Sequence, residues 1–196
     1  AKYFDNTGLA TGGIEFQCGT TKPFFLPEVP KGTPYPGTLK KIQGGAVHFN
    51  SPYSDADTRS SSVLLVPDST DFDLGTNDFT MECWFYADYM PKTNNTFFSK
   101  NGPAYTANDS AFWFRQGNYG NLQAYLCDGA GNYASISGPG NTHESYGWNH
   151  AAFTRKGENI YLFCNGILQG TSNIGASYSV NSISEELAIG GIHYYT

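Results

Sequence analysis

Charged residues are scarce in this sequence. They make up 14% of its 196 residues, with 17 acidic and 11 basic side chains that give a formal net charge of −6. The basic side chains are scattered, so they form no patch that would attract the phosphate backbone of a nucleic acid. No apolar run approaches the roughly 20 residues that a membrane-spanning helix requires. We therefore expect neither nucleic acid as a partner nor insertion into a membrane.

Cysteine is sparse too, and the four residues Cys18, Cys83, Cys127 and Cys164 form no CxxC pair. That spacing argues against a zinc knuckle and against a thioredoxin-like redox site. The chain is also far from a disulfide-dense framework, and Cys83 and Cys164 lie in apolar strand patterns, where a thiol packs as a small hydrophobe. We expect buried free thiols rather than disulfides.

Helical periodicity is missing, since no window of about 12 residues repeats its apolar positions with a period of 3.6. Short apolar segments separated by turns are present instead, in a chain with 23 Gly, 10 Pro and 16% aromatic residues. The strands predicted from them are 46–49, 63–66, 79–86, 97–99, 111–115, 122–127, 133–136, 150–155, 160–164, 167–171 and 187–189. Each strand has one apolar face to bury, which predicts an all-β sandwich of two antiparallel sheets with little helix.

The strongest of these segments is 79–86, in which Phe79, Met81, Cys83 and Phe85 alternate with other residues. Alternate side chains of a strand share one face, so these four are expected in the core. The dipeptides Asp128-Gly129 and Asn165-Gly166 tolerate positive φ, and each predicts a two-residue hairpin turn.

The first 43 residues differ from the rest of the chain. Five prolines fall between residues 22 and 38, and proline lacks the amide hydrogen of a sheet ladder, so this stretch is predicted to be an extended connector. Apolar and other residues alternate over 13–18, which predicts a strand or a segment that clamps onto the sandwich. We therefore divide the chain into an N-terminal extension, 1–43, and a sandwich domain, 44–196.

Several segments resemble the laminin G-like members of the concanavalin A-like lectin/glucanase superfamily, which fold as jelly rolls. Residues 78–85 are similar to the central Phe-Thr-apolar-Glu-small-Trp strand of that family. Residues 148–155 and 160–166 resemble its Trp-x-His strand and its Asn-Gly hairpin. Further similarity lies in 46–49, 64–69, 71–74 and 187–191. The resemblance covers about residues 44–191.

The chain departs from this family after residue 191. Members usually continue into a closing strand, whereas this sequence stops at Thr196. A sandwich without that strand would expose an edge to aggregation. We expect residues 1–20, or a neighbouring subunit or domain, to pair there.

The sequences of these motifs are similar to those of domains in phage virion and tail-fibre proteins and in bacterial surface proteins. The resemblance implies a non-catalytic structural or adhesion domain of a virion or cell-surface assembly, within a larger oligomer. Its partners would be glycans, bound through loop aromatics, or other subunits of the same assembly. The alternatives are a glycoside hydrolase-like enzyme and a dedicated soluble carbohydrate-binding module.

Catalysis lacks the residues that it would need. Glucanases of this superfamily carry a nucleophile and an acid/base carboxylate on one strand, about 5 Å apart. Here Glu82 is the one acid on the central strand and Trp84 follows where a partner would lie. His150 lies in a packing segment, and Glu185 and Glu186 are adjacent residues, which point to opposite faces of a strand. We expect no enzymatic activity.

Loop tyrosines are the best candidates for ligand contact. A sugar ring stacks its C–H face on an aromatic ring while amides and carboxylates bind its hydroxyls, although the same rings also suit contacts between subunits. The candidate carbohydrate-binding residues are Tyr105, Asn108, Asp109, Tyr119, Tyr133 and Tyr146.

We expect either no cofactor or a structural calcium ion. Jelly rolls of the family often hold Ca²⁺ in loops, through oxygen ligands. Asp55 with Asp57, and Asp71 with Asp73, each place two carboxylates on one side of an extended segment. Solvated loop acids are the simpler interpretation.

Overall fold

The computed structural model describes residues 15–17, 24–26, 46–49, 63–86, 94–143 and 146–192. Within these ranges the chain forms strands and short 3₁₀ turns, at Thr70–Phe72 and Asn118–Gly120, and no α-helix. The strands are β1 (Glu15–Gln17), β2 (Phe24–Leu26), β3 (Ala46–His48), β4 (Val63–Val66), β5 (Phe79–Tyr86), β6 (Asn95–Asn101), β7 (Ser110–Gln116), β8 (Leu122–Cys127), β9 (Tyr133–Ser137), β10 (Trp148–Lys156), β11 (Asn159–Cys164), β12 (Ile167–Asn173) and β13 (Leu187–Ile189).

The strands form two main antiparallel sheets. The larger sheet has seven strands in the order β1-β4-β13-β6-β7-β8-β9, and the smaller has four in the order β12-β11-β10-β5. A further pair, β2-β3, is also antiparallel. The predicted all-β sandwich of two antiparallel sheets is therefore confirmed.

Strand β5 shows why the two sheets pack together. Phe79, Met81, Cys83 and Phe85 pack against the buried core, whereas Thr80 is exposed, as the alternation predicted. The ring of Phe79 meets that of Phe153, a fully buried residue of β10, edge to face at 5.3 Å. Burial of each large apolar side chain contributes about 1.5–3 kcal/mol.

The turn at Asn165-Gly166 forms as predicted and joins β11 to β12. Both residues have positive φ, +51° and +78°. The turn type that suits a two-residue hairpin requires positive φ at both positions. The Asn165 side chain also accepts a hydrogen bond from the His150 amide at 2.8 Å and donates one to Asn149 Oδ1 at 3.0 Å. The asparagine thus links the turn to β10.

The prediction of a two-residue turn at Asp128-Gly129 is wrong. Residues 128–132 form a wider loop, closed by a hydrogen bond from the Asp128 amide to the Asn132 carbonyl at 3.1 Å. The Asp128 carboxylate accepts bonds from the amides of Ala130 and Asn132 at 2.8 and 3.0 Å. A short acidic side chain that binds the amides of its own loop stabilises this longer connection.

Part of the N-terminal extension lies on the larger sheet. Strand β1 falls within the predicted 13–18 strand and pairs with β4 at the sheet edge. Strand β2 falls within the proline-rich connector and pairs with β3. The rest of 1–43 lies outside the described residues, and the division at residue 43 stays a prediction.

The outer face of the larger sheet is covered at the β4 and β13 end. Val63, Leu65 and Ala188 form a small buried cluster on the face opposite the main core. The ring of Phe49 lies over Gly190 so closely that a Cβ atom would not fit there. The open part of this face is therefore at β7, β8 and β9.

Three cysteines are free thiols, and Cys18 lies outside the described residues. Burial raises the pKa of Cys83 and of Cys127 to about 12, and that of Cys164 to about 11. All three thiols stay protonated at neutral pH, so none is a nucleophile there.

Candidate functional site

A group of aromatic rings covers the outer face of β7, β8 and β9. Phe112 and Phe114 point into the core, so the residue between them, Trp113, points away from it. Trp113 pairs across the sheet with Tyr125, and their rings lie edge to face at 6.3 Å. The ring of Tyr133, on β9, lies 6.2 Å from that of Tyr125. Three neighbouring strands thus present one continuous aromatic surface.

This surface forms the floor of an open pocket of about 370 Å³. The size lies within the range of about 300–1,000 Å³ that small-molecule sites occupy, and the lining is mostly aromatic, as such sites usually are. The residues that line this aromatic pocket are Tyr105, Ala107, Trp113, Tyr125, Cys127, Gly131 and Tyr133.

The loop over the pocket, residues 102–109, is held by Asp109. The Asp109 carboxylate accepts hydrogen bonds from the amides of Ala104 and Thr106 at 2.6 and 2.7 Å. Burial raises the pKa of Asp109, but these bonds outweigh burial and the pKa lies below its ordinary value. The carboxylate therefore serves the loop, and Tyr105 is fixed within it at a φ of +53°.

Asn181 supports the pocket loops. Its amide nitrogen donates to the Cys127 carbonyl at 2.7 Å, and its side chain donates to the carbonyl of Asn108 at 3.3 Å. A bond of 3.2 Å from the Gly129 amide to the Ala107 carbonyl joins the two loops directly. The pocket rim is therefore anchored to a third segment of the chain.

Tyr178 packs against the core and joins the end of β8 to the start of β9. Its hydroxyl donates to the Leu126 carbonyl at 2.7 Å and accepts from the Ala134 amide at 3.1 Å. The Tyr178 carbonyl in turn accepts a bond of 2.7 Å from Arg155, which is buried. All the hydrogen bonds of this guanidinium go to backbone carbonyls, at 2.7–3.5 Å, namely those of Gly75, Gly157, Gly175, Ala176 and Tyr178.

Arg115 lies on the same face as Trp113, two residues further along β7. Its guanidinium carbon is 4.9 Å from the centre of the Tyr125 ring. Its Nε donates a hydrogen bond to Gln123 Oε1 at 3.0 Å, and its Nη2 donates one to the Tyr125 hydroxyl at 3.3 Å. The side chain is thus held beside the aromatic pocket by three contacts.

Four of the six sugar-site candidates lie at this pocket. Tyr105 and Tyr133 line it, and Asn108 and Asp109 belong to its loop. The other two lie apart from it. Tyr119 is 75% exposed in the turn at the opposite end of β7, and Tyr146, 67% exposed, precedes β10.

Trp113, Tyr125 and Arg115 were not among the predicted site residues, because they lie in strands and the prediction concerned residues in loops. A signal was present in the strands: the core face of 111–115 contains Phe112 and Phe114, which leaves Trp113 and Arg115 on the other face.

The acidic candidates for calcium are dispersed. Asp73 lies 3.7 Å from the Lys100 ammonium, which is buried and pairs with Asp68 at 2.6 Å, so a calcium ion at Asp73 would have to displace it. Asp71 lies in the 3₁₀ turn, where its amide bonds Ser69 Oγ. Asp55 and Asp57 lie outside the described residues. In the ranges that the structure covers, no three His, Cys, Asp or Glu side chains gather as a metal site would require; calcium binding stays a prediction.

Glu82 and His150 face outward on the smaller sheet, with Glu82 Oε2 3.5 Å from His150 Nε2. Trp84 lies against His150 at 5.2 Å. Burial lowers the pKa of His150, although Glu82 opposes this. The histidine is therefore neutral at pH 7.

Buried His143 links the end of β7 to the 117–121 turn. Its Nδ1 lies 3.0 Å from the Gly120 carbonyl, and its Nε2 lies 2.7 Å from Gln116 Nε2. We assign the Nδ1–H tautomer, because both contacts are then hydrogen bonds. Burial lowers the pKa of His143.

In the described ranges, where the helical elements are two 3₁₀ turns of three residues each, no helix is long and apolar enough to cross a membrane.

A family model described as the concanavalin A-like lectin/glucanases superfamily matches residues 57–193. Comparison with the sequences of curated proteins finds no match.

Three of the solved structures with a similar fold are binding domains of toxins. The binding domain of Paraclostridial mosquitocidal protein 1 is 12% identical, with a TM-score of 0.64 over 92% of this chain and 40% of its own. The receptor binding domain of botulinum neurotoxin D is 13% identical, with a TM-score of 0.55 over 93% of this chain and 41% of its own. The serotype D ligand binding domain in complex with N-acetylneuraminic acid is 15% identical, with a TM-score of 0.52 over 68% and 33%. The chain thus spans well under half of each of these structures, and the likeness concerns the fold.

Proposed function

The chain belongs to the concanavalin A-like lectin/glucanases superfamily, and from that premise we propose that it is a non-catalytic domain that binds a carbohydrate in the aromatic pocket. The observation that carries the proposal is the continuous ring surface of Trp113, Tyr125 and Tyr133 at the floor of a pocket of about 370 Å³. The C–H face of a sugar ring stacks on one of these rings, with the inclined neighbouring rings beside it, while polar groups at the rim bind its hydroxyls.

Preorganisation of the pocket supports this proposal. Trp113 and Tyr125 project from paired strands, and strands hold side chains more precisely in place than loops do. The loops around them are tied down by Asn181 and by Asp109. Little ordering is left for a ligand to impose, which lowers the entropic cost of binding.

The acids around the pocket favour binding without hydrolysis. A glycosidase needs a carboxyl group whose raised pKa keeps it protonated as a general acid. The Asn132 side chain and the amides of its loop lower the pKa of Asp128, and hydrogen bonds lower that of Asp109 despite its burial. Both carboxylates are ionised at neutral pH and occupied by their own loops.

A glycan array followed by titration of the best glycan tests this function. Trp113→Ala should abolish saturable binding, because it removes the central ring. Tyr146→Ala is the matched control, since it removes an exposed aromatic side chain away from the pocket. Silence of the wild type across the array, or full binding by Trp113→Ala, would contradict the proposal. Release of reducing sugar from a bound glycan would contradict its non-catalytic part.

We further propose that the domain works in a virion or cell-surface assembly, as part of a larger oligomer. Support comes from the motifs within 44–191 and from the position of β5 at the edge of the smaller sheet. In the described ranges β5 pairs with β10 on one side and with no strand on the other. Sedimentation velocity should detect oligomers of the chain at micromolar concentration. A strictly monomeric sample would count against self-assembly.

A further inference from the structure

One positive charge at the aromatic pocket has no acidic partner in the described part of the chain. Four lysines and arginines lie in those ranges. Lys100 and Lys156 each pair with an aspartate, at 2.6 and 2.7 Å, and Arg155 is buried against backbone carbonyls. Arg115 is the fourth, and its hydrogen bonds go to the neutral side chains of Gln123 and Tyr125.

The contacts of Arg115 leave its paired donors available. A guanidinium has five N–H groups in one plane. One binds Gln123 and one binds the Tyr125 hydroxyl, so three remain, including both on Nη1. The two hydrogen bonds and the contact with the Tyr125 ring restrict the position of the guanidinium. A guanidinium held in this way suits a carboxylate, which accepts two parallel N–H bonds.

Arg115 also lies at a useful distance from the sugar platform. Residues two apart on a strand lie about 7 Å from each other on the same face, so a sugar ring stacked on Trp113 would bring its substituents within reach of Arg115. Asp109 precedes Arg115 by six residues, about 20 Å of strand, and Asp128 follows the end of β8 that pairs near the start of β7. Arg115 therefore lies on the side of the Trp113–Tyr125 pair away from Asp109 and Asp128, and this difference in charge orients a charged ligand.

Resting on the proposed function, we propose that the ligand is a carboxylated sugar whose carboxylate pairs with Arg115 while its ring stacks on Trp113. In a chain with a net charge of −6, an anion meets general repulsion, so a local arginine decides where it binds. The role assigned to Arg115 is to select acidic over neutral sugars. Trp113 and its neighbouring rings supply the affinity that both kinds share.

The test uses ligand pairs that differ only at the carboxyl group, which is ionised in the acid and neutral in its methyl ester. Isothermal titration calorimetry of the full chain would compare 3′-sialyllactose and an α-1,4-linked galacturonate trimer with their carboxyl methyl esters. A hydrogen-bonded charge pair predicts that at least one acid binds about 10-fold or more tightly than its ester. That preference should shrink as NaCl is raised, because salt screens an exposed pair.

Variants separate the role of the charge from that of the rings. Arg115→Gln should reduce the preference for the acid to less than about twofold while the ester binds as before. Arg115→Lys should restore part of the preference, since it keeps the charge and loses the planar fork. Near-UV circular dichroism would verify that both variants are folded.

The alternative outcomes are distinct. Equal binding of acid and ester by the wild type, or an unchanged preference in folded Arg115→Gln, would overturn the carboxylate inference and leave sugar binding intact. Equally tight binding of lactose 3′-sulfate would overturn the choice of carboxylate over another anion. An array on which neither acidic nor neutral glycans bind would overturn the proposed function itself.

Discussion

Replacement of Arg155 by methionine would remove the donor that gathers three segments of the chain. Its guanidinium binds the carbonyls of Gly75, Gly157 and Tyr178 at 3.2, 2.9 and 2.7 Å, with two longer bonds at 3.4 and 3.5 Å. Methionine approximates the length of the aliphatic stem and supplies no N–H group. We therefore expect Arg155→Met to retain the packing of the stem and to leave these carbonyls without their donor.

The size of the effect follows from the three short bonds. A hydrogen bond to a charged group contributes about 1.5–3 kcal/mol, so three would give about 4–9 kcal/mol if every carbonyl stayed dry. Gly157 is exposed, and water can replace the arginine there. We expect a loss of about 3–5 kcal/mol in the free energy of unfolding, as for a broken buried ion pair. For a chain of this size that corresponds to a fall of about 6–20 °C in melting temperature.

Differential scanning calorimetry and urea titration would measure the loss. Lys156→Met is the control, because the neighbouring lysine is 81% exposed and its pair with Asp78 is at the surface. That variant should melt close to the wild type. A melting temperature of Arg155→Met within about 2 °C of the wild type would refute the reasoning, since the five carbonyls would then not need the guanidinium.

Three further predictions concern single side chains. Burial holds the pKa of His143 below 6.5, so its contribution to the free energy of unfolding is complete above pH 6.5 and is lost as pH falls through the folded pKa. Urea midpoints measured against pH should show this loss. The loss should be shallower in His143→Gln, where the remainder is due to His150. Asn165→Ala should lower the free energy of unfolding, measured in urea, by about 1–2 kcal/mol, because alanine resists a φ of +51°. A smaller loss in Asn165→Gly would separate backbone strain from the lost side-chain hydrogen bonds. Tyr178→Phe should cost about 1–3 kcal/mol and weaken glycan affinity in calorimetry; unchanged affinity would separate this hydroxyl from the pocket.

Most of the fold was predictable because its signals are local. The bounds of β5, β8 and β13 agree with the predicted strands. Apolar and other residues alternate along β5 and β8, and β13 is a short apolar run followed by glycine. The Asn165-Gly166 turn was predictable for the same reason, as both residues accept positive φ. The loop after β8 was not, because the Asp128-Gly129 signal ignores the second glycine, Gly131, which also takes a positive φ of +92°.

The site was harder to predict because exposure of the outer sheet face is not a local property. Leu65 and Trp113 both lie on the outer face of the larger sheet. Leu65 is fully buried there, whereas Trp113 lines an open pocket. What separates them is the strand order and the chain segments that cover one end of the sheet. Neither can be read from the residues adjacent to Trp113.

The same strand register determines both the core and the pocket. Phe114 is fully buried and contacts Phe153 at 5.9 Å, while its neighbour Trp113 forms the pocket floor. A slip of one residue in β7 would turn Trp113 inward and Phe114 outward, and it would reverse Arg115 with them. The core therefore fixes the orientation of the ligand-facing side chains. It follows that Phe114→Ala, which removes no pocket residue, should loosen glycan binding as well as the fold, whereas Tyr133→Ala should affect binding with little loss of stability because Tyr133 is 65% exposed.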